Sequence, residues 1–153
     1  MSNKTNKTVD IASAPTVLQE KIAGYKETAR EALRAELIAP RTSRIATFEA
    51  CIDSVNKNKE NVNHNIKVVT YEMGKLDTEH PNFEKTKESK ENQIKNLEED
   101  IKVLDKEIEN LEKSILEQKE GIAKIETGET KVSKDALNAL VSDMIKQNAL
   151  NQA

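Results

Sequence analysis

Apolar residues recur along this chain in steps of three and four. The first series opens at Pro15 and Thr16 and carries Leu18, Ile22, Tyr25, Ala29, Ala32 or Leu33, and Leu37. A second runs Ile45, Phe48, Ile52, Val55, Val62, Ile66, Val69, Met73 and Leu76, with Lys59 in its one polar slot. A third runs Ile94, Leu97, Ile101, Leu104, Ile108, Leu111, Ile115, Ile122 and Ile125, with Gln118 as the polar slot. A fourth, after Ser133, places Leu137, Leu140, Val141, Met144 and Ile145 on one stripe. Alternating steps of this kind line up on one side of a helix and bury a narrow seam against another helix. The pattern therefore predicts an all-α chain.

Breaks in the pattern set the expected boundaries. Residues 1–14 are small and polar and read as a disordered N-terminal arm. Residues 15–126 read as an N-terminal helix followed by two long helical arms. Pro40 is expected to break or kink the first helix, because proline removes a backbone donor and crowds the preceding turn; Thr42 or Ser43 can cap the restart. The turn between the arms falls in "DTEHPNFE", residues 77–84, and "TGET", 127–130, ends the second arm. Residues 127–153 read as a C-terminal amphipathic helix and tail.

The two long seams share one phase. When residues whose numbers sum to 163 are paired, Val69 meets Ile94, Ile66 meets Leu97, Val62 meets Ile101 and Ile52 meets Leu111, always an a position against a d position. The midpoint lies between Pro81 and Asn82. The expected fold is thus a long antiparallel coiled-coil helical hairpin with short amphipathic helices at its open end. The rival is a parallel dimer through the second arm, whose Ile-at-a, Leu-at-d choice suits two strands. Within the hairpin, Lys59 would stand opposite Leu104, and Met73 and Leu76 opposite Lys90 and Lys87, whose stems can cover apolar surface. Acidic flanks on the second arm, Glu98, Asp100, Asp105, Glu107 and Glu112, find no matching lysines across the pair. Glu98 with Lys102 and Glu109 with Lys113 are expected as pairs along one helix.

Composition narrows the function classes. Of 153 residues, 33% are charged and only 3% aromatic, which disfavours a large globular core. The net charge of −3 mixes both signs densely, so neither nucleic acid nor a membrane surface is expected as a partner. No apolar run is long enough to span a bilayer, and the expected location is cytoplasmic, or within an assembly formed there, a virion included. The one cysteine, Cys51, rules out an intrachain disulfide framework.

Candidate chemistry is sparse. There is no Gly-rich phosphate loop, no nucleophile elbow and no histidine pair at metal spacing, so neither catalysis nor a cofactor or metal is expected. The one concentrated polar group is the turn: Asp77, Glu79, His80, Asn82 and Glu84 around Pro81, with Phe83 exposed or capping the seam. Carboxylates on a helical stalk could hold Mg²⁺ for another protein's active site. That arrangement resembles the transcript-cleavage factors that reach into RNA polymerase, which implies an effector inserting its tip into a larger enzyme. The likeness covers the acidic tip and the shape; the family's β-rich second domain has no counterpart here.

The expected function is a non-catalytic assembly factor, scaffold or adaptor working through protein–protein contacts and self-association, a style of chain that fits a viral or phage structural or accessory protein. Its interaction residues would be Leu18, Ile22, Tyr25, Leu33, Leu37, Leu137, Leu140, Val141, Met144 and Ile145, on stripes with no assigned cover. A third reading uses the acidic flank as a mimic of nucleic acid.

Overall fold

A computed structural model describes the backbone of residues 2–152 and the side chains of residues 17–148. The described chain is three α-helices joined by two short connections: α1 (Ser2–Gly74), α2 (Phe83–Glu126) and α3 (Lys134–Gln152). The arm expected over 1–14 falls within the span of α1, and its side chains lie outside the described residues.

The break expected at Pro40 is absent: α1 passes through it. Proline costs a helix one hydrogen bond, roughly 3 kcal/mol with the steric clash, so something must hold both sides. Arg34 and Ile38 before the proline and Arg41, Ile45 and Phe48 after it are half-buried and keep the three-and-four spacing without a slip. A break would throw that spacing out of phase.

The chain divides into two compact units. The first, here the seam unit, is residues 42–120. In its part of α1 the residues withdrawn from solvent are 45, 48, 52, 55, 59, 62, 66, 69 and 73, and every other helical position is exposed. In its part of α2 they are 83, 86, 87, 90, 94, 97, 101, 104, 108, 111, 114, 115 and 118. Nearly all are only half-buried; Val55, at 6% exposure, is the one fully buried side chain. Two ion pairs join α1 to α2 within this unit. Lys59 Nζ lies 2.5 Å from Asp105 Oδ1, and Lys90 Nζ lies 2.7 Å from Glu72 Oε2. Their residue numbers sum to 164 and 162, either side of the value that the seams require. The Lys59 pair corrects the expectation that the acidic flank meets no lysine across the helices. The flank departs from expectation along α2 as well: Lys102 pairs with Glu99 at 3.1 Å rather than with Glu98, whereas Lys113 does pair with Glu109, at 3.3 Å.

The second, the split unit, comprises Met1–Arg41 and Gly121–Ala153. Among the described residues it holds the other three that are buried: Ala29 at 0% exposure, Ile125 at 3% and Val141 at 6%, one from each helix. Small residues allow this closeness. A Cβ on Gly121 would collide with the Arg41 guanidinium, so the glycine makes room for that side chain. Gly128 ends α2 in a left-handed turn at φ 80°, a conformation that glycine adopts without strain. Around it, the amides of Gly128 and Thr130 donate to the carbonyls of Ile125 (3.2 Å) and Lys124 (2.9 Å), satisfying groups that the helix end leaves bare. Ser133 then caps α3, its Oγ accepting the Ala136 amide at 3.3 Å.

Candidate interaction surfaces

Two groups of side chains were singled out by the sequence, and the fold treats them differently. The apolar stripes of residues 16–39 and 134–148 belong to one unit. Val141 is buried there, and Ile22, Tyr25, Leu33, Leu137, Leu140 and Met144 are half-buried. Much of each stripe is thus occupied in internal packing. Leu18, Leu37 and Ile145 remain exposed. Ala29, a member of the first apolar series, is the most buried residue described, at 0% exposure.

The second group is the connection between α1 and α2. Asp77, Glu79, His80, Pro81 and Glu84 are exposed, and Phe83 is half-buried as the first residue of α2. The polar groups here largely serve the backbone. Asp77 Oδ1 accepts the Glu79 amide at 3.0 Å, and the Asp77 carbonyl accepts the His80 amide at 3.1 Å. His80 Nδ1 accepts the Asn82 amide at 3.0 Å, which requires that nitrogen to be unprotonated. Asn82 in turn gives its carbonyl to the Thr86 amide at 2.9 Å, starting α2. Aspartate and asparagine do this in turns because their short side chains reach the backbone nearby. A shallow recess of about 280 Å³, lined by Lys75, Leu76, Asp77, His80, Phe83 and Thr86, lies beside them. Among the described residues no three His, Cys, Asp or Glu side chains are grouped to hold a metal.

Four apolar residues stand off the seam in the open: Val68, Tyr71, Val103 and Leu116, with Tyr71 at 67% and Val103 at 66% exposure. Lys75 reaches over the Tyr71 ring, its Nζ 5.3 Å from the centroid, so that the ammonium shields one aromatic face. Cys51 is exposed, on the flank of the seam.

One group was missed at the level of sequence. In the split unit, Arg30, Arg34, Lys131 and Lys134 line a recess with Gly128, Val132 and Leu137. These cations come from α1, the α2–α3 connection and the start of α3, so no run of basic residues announces them. The spacing of Arg30 and Arg34, one helical turn apart, was the only available hint. No helix of the described chain is long and apolar enough to cross a membrane. Comparison of the chain with family models, with curated proteins and with solved structures gave no match.

Proposed function

We propose that residues 42–120 form an antiparallel coiled-coil hairpin and that the chain is a non-catalytic assembly factor, scaffold or adaptor acting through protein contacts. One observation supports this: the seam positions of residues 42–120 are withdrawn from solvent, nearly all of them partly, within a single chain. The ion pairs Lys59–Asp105 and Lys90–Glu72 support the antiparallel register, since a parallel arrangement would separate their partners. The apolar surface left outside for a partner, or for another copy, includes Leu18, Leu37 and Ile145 in the split unit. Such a device works in an intracellular assembly, a virion among them.

The alternative is an effector that inserts the acidic tip into a larger enzyme such as RNA polymerase. It has less support, because the Asp77 carboxylate already closes its own turn.

Spin labels at Val62 and Ile101, with labelled chain diluted into unlabelled, test the hairpin. They are expected to be near neighbours within one molecule. Labels remote within a chain, but close between two copies of the second arm, would replace the hairpin by the parallel dimer. The contact surface is tested by replacing Leu18, Leu37 and Ile145 with serine together. Helicity is expected to hold while self-association by light scattering, or capture of the native partner, is lost; unchanged association and capture would remove these residues from the reading.

A further inference from the structure

The recess in the split unit measures about 330 Å³ and is lined by Arg30, Arg34, Gly128, Lys131, Val132, Lys134 and Leu137. Its lining contains four cations and no acid, in a chain where acidic residues outnumber basic ones by 27 to 24. Arg30 is partly neutralised by Glu27, 2.8 Å away. Among the described residues, Arg34, Lys131 and Lys134 enter no ion pair. Like charges gathered on one concave surface repel each other, and folding into this shape works against that repulsion. The amide end of α3 opens at the same place, since Lys134 is its first residue, and adds partial positive charge.

The rest of the lining selects among anions. Val132 and Leu137 are apolar and half-buried, and Gly128 presents backbone without a side chain. A bare inorganic anion would satisfy the cations and leave that apolar lining wet. A peptide segment with acidic side chains flanking an apolar one would satisfy both: carboxylates meet the arginine forks in paired hydrogen bonds, and the apolar side chain covers Val132 and Leu137. We propose that this recess binds an acidic peptide segment of a partner protein, an apolar side chain at its centre and glutamate or aspartate on either side. The proposal rests on the reading of the chain as a protein-binding module and adds the chemistry of the partner.

The full chain, isotope-labelled, can be titrated with a capped octapeptide of alternating glutamate and leucine and followed by amide shifts. Saturable shifts are expected at Gly128, Val132 and Leu137, with binding weakened about tenfold or more at high salt. Arg34→Glu with Lys131→Glu should abolish them, and Arg34→Gln with Lys131→Gln should weaken them if the reversed charges disturb the fold. Three results would overturn the proposal: no saturable shifts at these amides, equal binding by the serine-for-glutamate peptide, or the same shifts and affinity with inorganic phosphate alone. Failure here would leave partner capture through Leu18, Leu37 and Ile145 intact. Conversely, a chain that captured no native partner would still show whether the recess takes the peptide.

Discussion

The seam unit and the split unit use the same kinds of side chain to opposite effect. Residues 42–120 contain two long apolar series, yet only Val55 is fully buried. The split unit has shorter and weaker series and buries Ala29, Ile125 and Val141. The difference is one of coordination. A helix facing one other helix covers each seam residue on its inner side and leaves its edges to water, so burial stops halfway. Where three helical segments contribute to one unit, a residue can be enclosed from all sides, and even an alanine reaches 0% exposure. Length of apolar pattern therefore measures the extent of a seam, not the depth of a core.

The sharpest way to break this contrast is to truncate one isoleucine in each unit. Ile125→Ala removes a side chain that is 3% exposed and should cost about 3 kcal/mol, transfer and cavity together. Ile101→Ala removes a half-buried one, and should cost nearer ~1–2 kcal/mol because water fills the gap and less area was hidden. Amide exchange resolves the location. Ile125→Ala should speed exchange across residues 22–38 and 122–144 while 48–69 stay protected. Equal acceleration in both regions would mean that the two units do not unfold separately.

A smaller effect probes the polar slot of the seam. Lys59 occupies a half-buried position and reaches Asp105, with the two side chains 33% and 52% exposed. An ion pair this open contributes at most about 1 kcal/mol, and a leucine in the slot would hide more apolar area. Lys59→Leu should raise the denaturation midpoint by the equivalent of ~1 kcal/mol. It should also broaden the distance distribution between labels at Val62 and Ile101, since the lysine no longer penalises slipped pairings. A lowered midpoint would show that the charge pair outweighs the burial.

What the sequence made legible follows the same division. In the seam unit, the positions withdrawn from solvent from Ile45 to Met73 were readable one by one, and so were those from Ile94 to Gln118 except Ser114, because a helix that buries one narrow stripe imposes a strict period. The start of α3 was readable from Ser133, a local cap. Packing in the split unit was not. Gly121 acts by being small, which leaves no apolar mark, and the continuity of α1 through Pro40 depends on the phase of residues on both sides rather than on the proline itself. The cations of the recess were hidden for a further reason: Arg30 and Lys131 are a hundred residues apart in sequence and meet only through the fold. The turn residues Asp77 and His80 were legible as part of a polar cluster, but that their side chains serve the backbone needed the hydrogen bonds.

The smallest effect lies on the outer surface of α2, where Glu109 stands between Lys106 at 3.5 Å and Lys113 at 3.3 Å. The hydrogen bond from Lys113 comes first among the causes that hold its carboxyl below the ordinary glutamate value, followed by the charges of Lys106 and Lys113. A carboxyl with a depressed value in the folded state stabilises the fold at pH above the unfolded value. That contribution is lost as the pH falls through the depressed folded value. The carboxylate is open to solvent and salt screens it, so the loss should be a slight drop in the melting temperature of the seam unit on acidification, reduced further in high salt. Glu109→Gln should remove that part of the pH dependence and leave the neutral-pH melting point nearly unchanged. Melts of both forms at neutral and acidic pH give the comparison, and an identical acid response in the two would show that the Glu109 carboxyl contributes nothing to the pH dependence.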